Sequence, residues 1–195
     1  MPTRNYHSIY KEFKRIGRIT YELGYNNTHS GNISVRVGNN ILINRRGAML
    51  GFLENTDIVS VPLDKKSPED NKASVELNSH RAILQHTSAK AVLHTHLPKT
   101  IALSFIMKSI PPITVEGRVF FKKPVPVLSL KRATGSREME EALVRVLKTQ
   151  PAAIIRGHGV FTTGQTLEEA LRYASMLEDI ADISYLTKLL KRQPK

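Results

Sequence analysis

The chain has 195 residues, about the length of one ordinary domain, and it contains no cysteine, which excludes disulfides, thiolate metal sites and cysteine nucleophiles. Its formal charge of +12 suits an enzyme for anionic substrates or a nucleic-acid binder, but no recognisable nucleic-acid module accompanies the basic clusters, so we do not expect nucleic acid as a partner. No stretch approaches the roughly 18 apolar residues of a membrane span, and the N-terminus lacks the apolar core of a signal peptide, so we expect a soluble, cytoplasmic protein.

The periodicity of apolar residues in the first half of the chain predicts two helices with strands between them. In chain order, we predict a helix over residues 8–23 capped by Gly24, a hairpin of strands at 32–37 and 41–43, a strand over 57–63, a surface loop over 64–72, and a helix that begins near Ser74 and runs through Leu84. The hydroxyl of Ser74 is suited to cap that second helix.

In the second half of the sequence, predicted strands and helices again follow one another. In chain order, we predict a strand over 91–96, a helix from Pro98 to about Met107, a strand near 125–128, a helix over 136–147, strands over 152–156 and 160–163, and a helix from Thr166 to about Leu190 with a capping box of Thr166 and Glu169. Helices mixed with alternating strands predict one α/β domain whose sheet is covered by helices on both faces.

A pair of histidines in a predicted strand is the first candidate for chemistry. His94 and His96 are two residues apart, so both imidazoles point to the same face of the strand and can reach one ion. Such a pair alone is also typical of a structural or surface role.

A third histidine, His158, lies between Gly157 and Gly159, where the backbone can turn sharply and approach a ligand closely. Three histidine ligands leave one position open on a tetrahedral zinc, which is the arrangement of a catalytic site. The alternative is an ordinary turn histidine.

The segment Ser74-Val75-Glu76 combines a carboxylate with a predicted helix start, a place that favours phosphate. It could equally be an ordinary capped helix with an acidic first turn. The loops before Asn32 and around Arg46-Gly47 are ambiguous in the same way.

Taken together in this order, four motifs resemble those of the class II aldolase/adducin family over nearly the whole chain. The motifs are Gly31-Asn32-Ile33-Ser34, Ser74-Val75-Glu76 with Leu77-Asn78-Ser79-His80 after it, His94-Thr95-His96, and Gly157-His158-Gly159 followed by the long last helix. The resemblance implies a single three-layer α/β/α domain over residues 1–195, with a central sheet that is mixed or largely antiparallel. It also implies a homotetramer with active sites at subunit interfaces.

The resemblance further implies a role for each matching residue. It makes His94, His96 and His158 the ligands of one Zn²⁺ per subunit, Glu76 the catalytic acid/base and a further metal contact, and Asn32, Gly47 and Ser74 phosphate-binding residues. The implied reaction is reversible cleavage of a ketose 1-phosphate, L-fuculose 1-phosphate or a similar sugar, into dihydroxyacetone phosphate and a small aldehyde through an enediolate.

Two positions depart from the family's pattern. Val75 stands where the aldolases commonly have a second phosphate-binding serine, and Arg46 precedes Gly47 where a small hydroxylated residue is usual. Because guanidinium suits phosphate geometry, Arg46 can compensate by binding the phosphate directly. We therefore expect a phosphorylated substrate.

Three alternatives stay open within the family. Glu116 is a second carboxylate, in the general region where methylthioribulose-1-phosphate dehydratases have an acid/base, so a dehydratase is the second hypothesis. A pentulose-phosphate 4-epimerase would share the zinc site. An adducin-like interaction module is the non-enzymatic alternative, although such modules lack the zinc histidines.

The remaining candidates concern the surroundings of the site. We predict that His7, His80 and His86 are helix-surface or loop residues and that His29 lies near the site. Resemblance to the aldolases also implies that Tyr185 and the short tail over residues 191–195 help to close a neighbouring subunit's site.

Overall fold

Eight strands form one mixed sheet in the computed structural model, which describes residues 6–191. The strands are β1 (Asn32–Val37), β2 (Asn40–Asn44), β3 (Ile58–Pro62), β4 (Ala91–Thr95), β5 (Ser109–Ile110), β6 (Val125–Leu128), β7 (Ala152–Ile155) and β8 (Gly159–Gly164). Their order across the sheet is β3-β2-β1-β4-β8-β7-β6-β5. Neighbours are antiparallel except β6 and β7, which are parallel.

Six α-helices accompany the sheet in the part of the chain that the structure describes. They are α1 (Tyr6–Glu22), α2 (Leu77–His86), α3 (Pro98–Ser104), α4 (Val115–Phe120), α5 (Arg137–Leu147) and α6 (Leu167–Leu190), with short 3-10 helices at Leu50–Phe52, Asn55–Asp57 and Pro68–Asn71. None of the helices within residues 6–191 is long and apolar enough to cross a membrane.

The helices form a layer on each face of the sheet, as predicted. Helices α1, α3 and α6 share one hydrophobic core with sheet residues such as Ile33 and Leu93, whereas α2 and α5 share a second core with residues such as Val92. Adjacent strand residues Val92 and Leu93 therefore point into opposite cores, as the period of two requires. The three-layer α/β/α prediction is confirmed.

Two predicted helix ends were misplaced. Helix α2 begins at Leu77 rather than Ser74, because a turn closed by the Leu77 N–H and the Ser74 carbonyl (3.0 Å) precedes it, and Ser74 does not cap it. Helix α3 ends at Ser104 rather than near Met107. There the N–H groups of Phe105 and Ile106 bond to carbonyls three residues back. The Arg156 side chain donates to the carbonyl oxygens of Ser104 (3.1 Å) and Phe105 (3.3 Å), which have no other partner in the described chain.

The predicted capping box of the last helix is half formed. The Thr166 hydroxyl accepts from the Glu169 N–H at 3.0 Å, as expected. The Glu169 carboxylate, however, accepts from the Gln165 N–H at 2.6 Å and not from Thr166. The predictions missed β5 and α4, and residues 192–195 of the tail lie outside the described residues.

Candidate active site

His94 and His96 lie at the end of the central strand β4, between β1 and β8. His94 is 1% exposed, and its Nδ1 donates to the Val160 carbonyl at 3.0 Å, because a carbonyl can only accept. Its Nε2 therefore carries a lone pair that points into a cleft. Phe161 stacks on the ring at 4.2 Å between centroids and fixes its plane. The Nε2 atoms of His94 and His96 are 3.1 Å apart, as the prediction for a strand pair requires.

His158 reaches the same point from the turn between β7 and β8. Gly157 takes a φ of +67°, in the left-handed region that glycine adopts without penalty. At Gly159 a Cβ would lie 2.6 Å from the Thr95 carbonyl oxygen and under 3 Å from the His94 and His96 rings. The two glycines thus give the turn and the close approach that the sequence predicted. The ligand atoms of the three histidines lie within 4.8 Å of one another.

Glu76 completes the group from the opposite side of the cleft. The turn before α2 directs its side chain inward, where it is 4% exposed. Its Oε2 is 3.3 Å from His94 Nε2, and its Oε1 is 3.6 Å from His158 Nε2. Asn32 on β1 donates an amide N–H to Oε2 at 3.1 Å.

The donor atoms fit a divalent cation. Burial lowers the pKa of His94 well below its usual value, and the nearby rings of His158 and His96 lower it further. Burial, followed by the nearby His158, also lowers the pKa of His96. These imidazoles are therefore neutral and can offer lone pairs. Within the described residues, the buried Glu76 Oε1 has no hydrogen-bond donor, as expected of an atom that faces an ion. Nitrogen ligands beside one carboxylate are a donor set that suits zinc.

A cleft of about 250 Å³ opens above these groups. Its inner end, here called the cleft floor, includes the buried Asn32, Glu76 and His94 and the half-buried His96 and His158. Its exposed margin, here called the cleft rim, includes His29, Arg46, Gly47 and Thr134. Ser74, 7% exposed, lies between floor and rim.

The structure thus brings most of the predicted site residues into one cleft. Arg46, Gly47, Ser74 and Asn32 line it together with the histidines and Glu76, and His29 lies near the site. Glu116 does not join them within the chain. It is exposed on α4 and lines a separate depression with Asp179 and Asp182 of α6.

The prediction that His80 is a surface or loop residue was wrong. His80 is fully buried, and it contacts Ser34 and Asn32 beneath Glu76. Its position one helical turn after Glu76 was the available signal. Phe161, which stacks on His94, and Thr134, which reaches the rim from the loop before α5, were also missed, because both positions depend on contacts between distant parts of the chain.

Comparison with known proteins agrees with this geometry. Residues 11–185 match the family described as Class II Aldolase and Adducin N-terminal domain. An L-fuculose phosphate aldolase from Methanococcus maripaludis is 33% identical over 92% of this chain and 98% of its own. A 5-methylthioribulose-1-phosphate/5-deoxyribulose-1-phosphate aldolase from Rhodospirillum rubrum is 27% identical over 82% of this chain and 72% of its own.

The fold also matches solved structures. The crystal structure of L-fuculose-1-phosphate aldolase from Thermus thermophilus superposes with a TM-score of 0.92, at 31% identity, over 97% of this chain and 99% of that one. These relatives carry the name aldolase, which indicates a lyase. The chain belongs to the class II aldolase and adducin family.

Proposed function

We propose that the protein is a zinc-dependent aldolase that reversibly cleaves a ketose 1-phosphate, L-fuculose 1-phosphate or a close analogue, into dihydroxyacetone phosphate and a small aldehyde. The observation that carries the proposal is the convergence of three imidazoles and one buried carboxylate at the floor of an open cleft. His94, His96 and His158 would hold the ion, with Glu76 beside it.

Cleavage breaks one carbon–carbon bond and moves two protons. The hydroxyl on the carbon that leaves as the aldehyde loses its proton, and the neighbouring carbon of the dihydroxyacetone phosphate half gains one. Zinc, when bound, supplies a Lewis acid for the negative charge that develops on the substrate's oxygens. Glu76 is the carboxylate of the cleft lining, so it would deliver the proton to that carbon and remove it in the reverse direction.

The rim would hold the phosphate. Arg46 is exposed at the cleft, and no ion pair of its guanidinium occurs among the described residues, so it is available to an anion. Gly47, Ser74 and Asn32 line the same cleft, although the Asn32 amide already contacts Glu76 and His80. Binding the phosphate away from the reacting carbon would hold that carbon near Glu76.

We also propose a cytoplasmic homotetramer with sites at subunit interfaces. In support, Phe105 and Ile106 are 60% and 68% exposed, and Phe105 lies against Gly157 beside His158. A second copy covering this apolar pair would lie next to the cleft. Sedimentation of a stable monomer would contradict this assembly.

The first test is an assay of the zinc-loaded protein with fuculose 1-phosphate, ribulose 1-phosphate and methylthioribulose 1-phosphate, resolving cleavage from dehydration and epimerisation. We expect dihydroxyacetone phosphate from the wild type and a loss of roughly 100- to 10,000-fold in Glu76→Gln. Glu116→Gln is the matched control, because the same change falls outside the cleft of its own chain.

Other outcomes would replace the proposal. Loss of water that survives Glu76→Gln but not Glu116→Gln would make the protein a dehydratase. Epimerisation without cleavage would make it an epimerase, and absence of both stoichiometric metal and turnover would favour an interaction module.

A further inference from the structure

A chain of buried polar side chains leads from the interior of the sheet to Glu76. Ser34 Oγ lies 2.6 Å from His80 Nδ1, and His80 Nε2 lies 2.5 Å from Asn32 Oδ1. The Asn32 amide nitrogen then donates to Glu76 Oε2 at 3.1 Å. All four residues are at most 5% exposed, so water cannot substitute for a missing partner at low cost.

The donors and acceptors available allow these hydrogen bonds to run in only one direction, from Ser34 to Glu76. Ser34 Oγ has no other hydrogen-bond partner among the described residues, so its proton has an acceptor only if it is donated to His80 Nδ1. His80 must then carry its single ring proton on Nε2 and donate to Asn32 Oδ1. This leaves the amide nitrogen of Asn32 to face the Glu76 carboxylate.

The reverse direction fails at both ends. If His80 carried its proton on Nδ1, the Ser34 hydroxyl proton would be buried without an acceptor. Asn32 would turn its amide nitrogen to His80 and its oxygen to Glu76, so two acceptors would face each other. Burial lowers the pKa of His80 to about 3, so the ring is neutral and has only one proton to place.

We propose that Ser34 and His80 are positioning residues, which orient the Asn32 amide so that it donates to Glu76 and holds that carboxylate in one rotamer. The inference rests on the proposed role of Glu76 as the acid/base. Neither Ser34 nor His80 lines the cleft, so neither touches the substrate in this arrangement. They act through Asn32 on the placement of the Glu76 oxygen that lies 3.3 Å from His94.

The direct test is the tautomer of His80 in the zinc-loaded protein, read from the ¹⁵N chemical shifts of its ring nitrogens. We expect the proton on Nε2 in the wild type. In Ser34→Ala, where the donor to Nδ1 is gone, we expect a mixture of both tautomers. A wild-type proton on Nδ1 would overturn the proposal without any variant.

Kinetics separate positioning from mere structural support. Removal of a residue that supports an active-site group typically lowers activity by about 10- to 100-fold. We expect Ser34→Ala to lower kcat by this factor and to leave KM and zinc content unchanged. Ser79→Ala is the matched control. It deletes the same hydroxyl from a side chain that is equally buried, next to His80, and without a hydrogen-bond partner in the described chain.

Ser34→Thr retains the hydroxyl and should retain the wild-type tautomer and most of kcat. Wild-type kcat in Ser34→Ala, or an equal loss in Ser79→Ala, would contradict the positioning role. If Ser34→Ala does not fold, the wild-type tautomer and Ser34→Thr decide the question. If instead Glu76→Gln cleaves as fast as the wild type, Glu76 is not the acid/base. The tautomer of His80 would still show whether the hydrogen bonds run from Ser34 to Glu76.

Discussion

The cleft floor and the cleft rim are built in opposite ways. On the floor, Asn32, Glu76 and His94 are at most 5% exposed and contact one another or backbone groups. On the rim, His29, Arg46 and Thr134 are exposed. A buried, prearranged side chain loses its conformational freedom when the protein folds, whereas an exposed one loses it when the ligand binds. For the proposed reaction, the contrast predicts that the fold fixes the reacting groups and that the rim governs the choice of substrate.

The largest expected effect comes from breaking the floor. His158→Ala removes one of the three nitrogens that lie within 4.8 Å of one another. We expect loss of stoichiometric zinc and a fall in cleavage of at least about 100-fold, because a Lewis acid contributes several kcal/mol to such a reaction. Metal analysis after dialysis and the cleavage assay measure both. His29→Ala on the rim, the same change outside the group, should keep its zinc.

A backbone change should disturb the floor next most. In Gly159→Ala the new Cβ would lie 2.6 Å from a backbone oxygen and under 3 Å from the His94 and His96 rings. Crowding of this kind costs about 3 kcal/mol when the neighbours cannot move, and we expect weaker zinc binding as well. Gly135→Ala is the control, because its φ of +55° strains an alanine by about 1 kcal/mol but no atom lies within 4 Å. Equal losses of unfolding free energy in urea would contradict the crowding.

The rim should respond in binding rather than in chemistry. We expect Arg46→Ala to raise KM for a phosphorylated substrate by roughly 30-fold, equivalent to about 2 kcal/mol for a charge-assisted hydrogen bond, with a smaller change in kcat. Arg46→Lys keeps the charge but not the planar fork, so only partial recovery is expected. Arg137→Ala, on an exposed residue of α5, is the control. A fall in kcat with unchanged KM would mean that Arg46 acts in the chemical step, as proposed for the floor residues, and not in phosphate binding.

The smallest effect concerns the support behind Glu76. Burial alone would raise the pKa of Asp70, but the hydrogen bond and charge of Arg81, 2.9 Å away, lower it below its ordinary value of 3.8. The ion pair ties the segment before Glu76 to α2. Because the folded-state pKa is depressed, its stabilisation is present above pH 3.8 and is lost as the pH falls through the lower folded-state value.

We therefore expect Asp70→Asn to lower the free energy of unfolding by about 1 kcal/mol at pH 7, with the difference shrinking below pH 3.8. Urea unfolding at several pH values measures it. Glu69→Gln, which breaks an exposed pair with Lys72, should change little. A pH-independent difference would mean that packing, and not charge, is lost.

Much of the fold could be predicted from the sequence, because periodicity and capping are local signals. The hairpin of β1 and β2, the strand with His94 and the Thr166 cap all follow from residues within a few positions of each other. Helix α4 was missed because its six residues are too few to show a helical repeat of apolar residues. The available signal was Thr114, whose hydroxyl accepts from the Gly117 N–H and caps the helix.

The site residues to which a recognisable motif assigns a role were predicted from the sequence. The residue whose part in the site depends on its buried position was missed. The spacing of His94 and His96 and the glycines around His158 were each ambiguous alone, and only the family resemblance of all the motifs together predicted the metal group. His80 lies in the family motif that follows Glu76, but its hydrogen bonds depend on Ser34 and Asn32 of β1, which are 46 and 48 residues away in sequence. Only the assembled sheet shows that it lies beneath Glu76.

The central position of β4 has a consequence for synthesis of the protein. The bond from His94 to Val160 spans 66 residues, and β8 pairs directly with β4. Contacts this distant in sequence form slowly, and during translation they cannot form before β8 has emerged from the ribosome. A nascent chain therefore displays two of the three histidines long before it can close the cleft around an ion. The proposed capture of zinc by all three histidines would therefore follow the pairing of β8 with β4.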